Sequence, residues 1–504
     1  MPRFGFCGGS YQSEIPLADL QSSINFYPEA TENPGSRTSM ILLPTPGLSL
    51  YATLIGPSVR GSYVINGRTF KVSGTHLYEL GAGGVVTDYG GNPGTANNNI
   101  VDDGNPAVMV AGGTDSGQYP GQLAIASGGS LTVFSLASNT FKAITGAPVN
   151  VLMVEFQDGF FVALTAGNTF QASQVEDATT WSGLSVSNVS VYSDALLSII
   201  SDHRFLWVFG GKRAVAYYTS GGALFPFDVV NGGFVEMGIL AQFSPARVNN
   251  TIYWLAGDER GESVVVRANG FMPQRVSDHG FEYWMQSQKV GITDAVGWGT
   301  REEGHNFYHL WFRAANATWT LDTDLGLWHQ RSSLIAGAPS AHLSRCHSYN
   351  FGLHLVGDRT SGKVYAMNSS YLTDNGAAII RTRIGPTISK ESQWIFINEF
   401  QVDVETGLGP IPALTDALGN PRDPYMMFQY SGDFGKTWGN QRMIACGQAG
   451  NYRIRAVDRR LGKWRSFTPK VTVSDPIFWK IADAYYNGTQ EAQERLAKQF
   501  AKVT

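Results

Sequence analysis

The chain has 504 residues, only 15% of them charged, with 58 glycines, 12% aromatics and a formal net charge of -4. That length can bury a large core, and a glycine- and aromatic-rich composition with few charges points to many short strands joined by tight turns, an all-β fold. A sequence pI near 6.2 excludes the global basic field of a protein built to grip a polyanion.

The chain starts "MPRFGFCGGSYQSEIP", with no apolar run after Arg3, so no secretory leader is expected. No uninterrupted apolar run elsewhere is long enough to span a bilayer. Cys7, Cys346 and Cys446 are odd in number and far apart. They have neither a disulfide framework nor zinc-ligand spacing, and read as buried thiols of a protein made in a reducing cytoplasm.

Residues 1–58, with "INFYPEATENPGSRTSMILLPTPGL", are punctuated by Pro and Asn and read as an arm that contributes to a second lobe. From 59 to 394 short alternating runs recur. Each unit has one strand marked by an aromatic or β-branched residue: Tyr78, Phe134, Phe170, Tyr217, Val265, Trp319 and Tyr365. The period is roughly 40 to 50 residues with about four strands per unit, which predicts a β-propeller of about seven, alternatively six, four-stranded blades. "LLSIISD", "RFLWVFGG", "RAVAYYTS" and "FPFDVV" spell out one such blade.

Within the repeats, "HNFYHLWFRAANATWTLDTDLGLWHQRSS" crowds His, Trp and Asp. On a helix His305 and His309 could share a metal. The run alternates as a strand, however, where positions four apart are separated by roughly 13 Å. It therefore reads as two central strands, a turn and an outer strand. "GDRTSGKV" has the spacing of a phosphate loop, but Val364 stands where Ser or Thr is needed and a strand follows instead of a helix. It reads as a hairpin turn, as do "GAGG" at Gly81–Gly84 and "GGKR" at Gly210–Arg213.

Residues 395–487 read as a C-terminal β-lobe that pairs with the arm in a sandwich-like unit. "SGDFGKTW" is an Asp-box: Asp433 accepts backbone N–H groups across the turn, Gly435 supplies a positive φ, and Trp438 packs under the hairpin. Ser431 and Thr437 complete this structural turn. In "NYRIRAVDRRLGKWR" the alternation places Arg453 and Arg455 on one face of a strand. With Arg459 and Arg460 they form a basic strand facing solvent or another subunit. Residues 488–504 read as a short helix or tail, with Thr489 as its cap and Leu496 and Phe500 as an apolar stripe.

Taken in order, "INFYPEA", "LPTPGL", "RGSYVINGRTFKVSGTHLYEL", "FQDGFFVALTAGNTFQASQVEDATTW", "LVGDRTSGKVYAMN", "FQVDVETG", "SGDFGKTW" and "VTVSDPI" resemble the tail nozzle proteins of short-tailed bacteriophages. These are also called tail hub or packaged-DNA stabilisation proteins. The resemblance runs from about Asn25 to Pro476 and implies a virion tail component, synthesised in the host bacterial cytoplasm and assembled as a hexameric ring. The implied neighbours are a portal-adaptor ring, tail fibres or tailspikes, and a tail plug or needle. The implied role is to close the channel, retain double-stranded DNA, and pass it without sequence recognition at ejection. It brings no catalytic residue, cofactor or metal, so no enzyme activity is expected, and no membrane insertion by the chain itself. The segment Gly407 to Tyr425 stands out as an insertion. The rival readings are a glycan-processing or glycan-binding propeller of sialidase type, which shares only the Asp-box, and a generic protein-binding propeller.

Overall fold

The computed structural model describes residues 5–33, 35–92, 98–189, 194–257, 263–288, 291–391 and 393–490. Hairpin follows hairpin, with left-handed Asn or Gly at many of the turns, such as Asn66–Gly67, Asp158–Gly159 and Glu303–Gly304, where a positive φ closes a short β-turn. Four-stranded antiparallel units span 59–90, 108–142, 151–188, 196–235, 238–275 and 296–335, the fifth carrying an extra short strand on its inner side. A seventh consists of Ser344–Asn350, Leu353–Asp358 and Lys363–Asn368, completed by Gly47–Thr53 of the arm. The fold is a propeller of seven blades.

All seven marker residues lie on the third strand of their blades, and each is at most 4% exposed. That strand, like the second, has a neighbour on either side and a blade against each face, so its central positions are buried and apolar. Apolar clusters fill six of the seven seams between blades. Phe70, Phe134 and Leu123 lie between the first two, and Tyr253, Tyr308 and Trp319 between the fifth and sixth. The ring closes where Lys71 Nζ of the first blade donates to Ser348 Oγ and to the Leu355 carbonyl of the seventh, both at 3.1 Å.

The arm reading needs a correction. Phe26–Ala30 and Met40–Pro44 join the second lobe, but Gly47–Thr53 is the outer strand of the seventh blade. The lobe also begins earlier than residue 395, because Arg381–Ile384 pairs with Ser466–Val473. One helix, His279–Ser287, was not expected. It is capped by Asp278, whose carboxylate accepts Phe281 N–H at 2.7 Å, and Phe281 stacks on Trp328 at 4.3 Å.

The lobe is a β-sandwich. One sheet orders Phe26–Ala30, Met40–Pro44, Ile481–Gln490, Ile395–Val404 and Ala456–Trp464; the other orders Leu20–Ile24, Arg381–Ile384, Ser466–Val473, Tyr425–Ser431 and Arg442–Ala445. Phe400, Phe428, Phe467, Trp479 and Phe6 fill the space between them. The second sheet runs into the sixth blade through the parallel pairing of Ile24 with Gln330, and the buried Arg383 side chain ties the joint by donating to the Phe6 and Gly9 carbonyls. Strand Ile481–Gln490 continues through Thr489, so Thr489 does not cap a helix. The rest of the expected C-terminal helix lies outside the described residues.

Candidate assembly surface

The innermost strands of all seven blades, through residues such as Arg60, Met109, Val154, Ile200, Arg247, Trp298 and Arg345, line a cavity of about 280 Å³.

The Asp-box sits on the sandwich, at the end of strand Tyr425–Ser431, and not on a blade. That is the lobe to which the sequence assigned it, so the one motif shared with sialidases lies outside the propeller. Ser431 Oγ donates to Asp433 Oδ1 at 2.6 Å and accepts Gly435 N–H at 2.8 Å. Asp433 in turn accepts Thr437 N–H at 2.9 Å and Thr437 Oγ1–H at 2.6 Å. These donors pull the Asp433 carboxyl down to about 2, because each hydrogen bond favours the charged form. Gly435 has φ +81°, as expected. Trp438 is only half-buried, with Lys470 Nζ 5.0 Å from its ring centroid, so it covers the turn from the surface instead of filling the core.

The basic strand differs from its sequence reading. The strand begins at Ala456, so Arg453 lies in a turn and Arg455 just ahead of the strand. Ala456–Trp464 is the edge of its sheet. A bulge opposite Ile397 and Glu399 places Arg460 at φ +60° and points it outward, exposed. Glu399 lies 3.6 Å from Arg455 and 3.4 Å from Arg459, while Asp458 takes Arg442. Lys463 and Arg465 flank the Trp394 ring at 4.8 and 4.9 Å. Among the described residues Arg453 and Arg460 have no carboxylate partner. Arg453, Arg455, Arg459 and Arg460 are all exposed along the edge strand and the turn before it, placed by a turn and a bulge in place of the strand alternation read from the sequence.

The seam between the sixth and seventh blades was not legible. His305, His309, His329, His342, His347 and His354, scattered along the sequence, all fall in or beside it. His305 Nδ1 bonds Asp322 at 2.7 Å, His309 lies between Thr300 and Thr320 at 2.9 Å each, and His347 Nε2 meets His354 Nδ1 at 3.0 Å. Neither ring nitrogen of the fully buried His329 has a protein partner. Arg331 pairs with Glu302 at 3.1 Å, both buried. Burial drives His309 and His329 well below the ordinary histidine value and His342 and His347 to about 3, while it raises Asp374 to about 6. These neutral histidines act as polar packing. The signal available in the sequence was strand alternation, which puts Glu302, His305, His309, Thr320, Asp322, His329 and Arg331 on one face of the sixth blade.

Cys7, Cys346 and Cys446 are free thiols, and burial raises that of Cys446 to about 12. The Gly357–Val364 segment is a hairpin turn, in which Asp358 accepts Thr360 N–H at 2.7 Å. No helix among the described residues is long and apolar enough to cross a membrane.

Two solved structures resemble the fold at low similarity. The computationally designed Ika8 protein is 9% identical over 64% of this chain and 99% of its own, with a TM-score of 0.37. BamB from Moraxella catarrhalis is 11% identical over 69% and 98%, with a TM-score of 0.38. No curated protein matches the chain. The family model described as the bacteriophage P22 Gp10 β-propeller matches residues 18–372, and that described as its β-sandwich matches 380–487. These matches follow the two units of the fold in order, and the chain belongs to the Gp10 family of structural phage tail proteins, the tail nozzle or stabilisation family.

Proposed function

We propose that six copies of this chain form a ring below the portal and its adaptor ring, and that the ring closes the tail channel, retains packaged DNA and conducts it at ejection. The observation that carries this reading is the match of both units, propeller and sandwich, to the tail nozzle family. Packed DNA repels itself and drives outward, so retention needs a mechanical block. A basic channel would block by adhesion, yet each gripped phosphate would later resist ejection. A chain of net charge -4 avoids that drag. The role needs no catalysis, and fibres or tailspikes and a plug or needle are the expected neighbours.

The test is to assemble particles with and without the chain and count filled heads by electron microscopy. The expected result is that particles lacking it package DNA and then leak it. Stably filled heads in its absence would sink the gatekeeping role, and a tail map with a copy number other than six would overturn the ring.

A further inference from the structure

The two units of the chain carry opposite charge. Residues 59–375 hold 18 Lys and Arg against 25 Asp and Glu, a net of -7, while residues 380–487 hold 14 against 10, a net of +4. The sandwich excess is concentrated on the exposed edge strand Ala456–Trp464 and the turn before it. There Arg453, Arg455, Arg459, Arg460, Lys463 and Arg465 gather, and Glu399 and Asp458 are the carboxylates that pair with this edge among the described residues, Glu399 with Arg455 and Arg459 and Asp458 with Arg442. The edge also exposes apolar surface: Trp394 is 39% and Tyr452 70% exposed.

A complementary surface exists on the propeller. The outer strands of the third and fourth blades, Asp177–Asn188 and Phe227–Val235, are also unpaired edges, and neither contains a Lys or Arg. Leu184, on the first of these strands, is 77% exposed, and Leu224, in the loop that leads into the second, 73%. Asp228 and Glu236 are exposed and have no cation partner among the described residues. An open edge without lysine or proline and with exposed aliphatic side chains invites pairing unless something covers it.

We propose that the basic sandwich edge of one copy docks on the outer strands of the third and fourth propeller blades of the next, with Arg455, Arg459 and Arg460 meeting Asp228 and Glu236. This rests on the ring-forming reading above and names the contact that builds the ring. The occupant is a second copy because each surface lacks what the other supplies: an excess of cations over carboxylates, with aromatics, on one, and exposed carboxylates without a cation among the described residues, with aliphatics, on the other. The two patches are different parts of one chain, so the contact is head-to-tail, the kind that generates closed rings. Opposite charge would also orient the approach.

The first experiment is a charge swap in assembled tails. Arg455→Glu/Arg459→Glu/Arg460→Glu should cut the copies per particle at least tenfold, and adding Asp228→Arg/Glu236→Arg to the same chain should restore them. The second is zero-length carbodiimide coupling in tails carrying Arg460→Lys, which keeps the charge and supplies an amine. The expected bond joins position 460 of one copy to Asp228 or Glu236 of another. Wild-type copy number in the triple reversal would overturn the contact, as would bonds from position 460 to a second basic edge or to another virion protein. The ring itself would survive those results. A wild-type chain present once per tail would sink the ring and the contact together.

Discussion

Tyr365, on the third strand of the seventh blade, pairs with Leu50 of the N-terminal arm, so the propeller is closed by the start of the chain and not by its own last repeat. Leu48, two residues earlier on the same strand and 1% exposed, packs with Val356, Tyr365 and Met367. Leu48→Ala should therefore destabilise the propeller by about 2 to 4 kcal/mol, the cost of emptying a buried leucine site. A denaturant titration followed by tryptophan fluorescence checks this. A loss confined to the sandwich would mean that the arm does not lock the ring.

The seven third-strand markers were readable because each sits in the same environment, buried on both faces, and burial selects apolar residues at a fixed place in the repeat. The closing strand was not readable. Its partner, Lys363–Asn368, lies at the far end of the propeller segment, and no local pattern in "GLSLYAT" distinguishes a sandwich strand from a blade strand. The helix at His279–Ser287 could have been found from Asp278 followed by Phe281 and Met285 at helical spacing, but the surrounding strand periodicity masked it. The Asp-box hydrogen bonds follow from local residues and were legible. The depth of Trp438 depends on Lys470, a strand away, and was not.

The box should stabilise the sandwich without supporting chemistry. Trp438→Ala should cost roughly 1 to 2 kcal/mol, because a half-buried ring under a single cation loses less than a core residue. Asp433→Ala should lower the melting midpoint by releasing Thr437 N–H and Oγ1–H. Because the folded carboxyl is held near 2, below its unfolded value, this contribution is present above roughly pH 4 and fades as pH falls through the folded value. Thermal scans at pH 7 and pH 2 give the comparison, and equal melting of wild type and both variants at pH 7 would show that the box is not a staple.

Acid should weaken the seam between the sixth and seventh blades. His309, His329, His342 and His347 stay neutral in the fold far below their unfolded value near 6.5, so the unfolded chain binds more protons as pH falls from about 6.5 toward 3. Stability then drops by on the order of 1 kcal/mol per pH unit for each such histidine. Asp374, raised to about 6, works the other way between roughly pH 4 and 6, but one carboxyl is outnumbered by four imidazoles. Chemical denaturation midpoints at pH 7 and 4.5 should fall with acid, and His329→Leu should flatten the slope. An unchanged slope in that variant would show that His329 does not titrate on unfolding.

The Glu302–Arg331 pair sits in the same seam, and its two partners should not be equal to the sum of their separate losses. With both side chains buried, at 7% and 2% exposure, removing one leaves the other charged and desolvated. Arg331→Met or Glu302→Leu alone should each cost about 3 to 5 kcal/mol, while the combined variant should recover much of that because no charge remains buried. Arg331 also disfavours protonation of His309, His329 and His342, so Arg331→Met should make the acid dependence of stability shallower as well. A double-mutant cycle by urea unfolding at pH 7, repeated at pH 5, reads both effects. Strictly additive losses would show that the two side chains act independently, and that the seam is held by its hydrogen bonds and packing instead of by this ion pair.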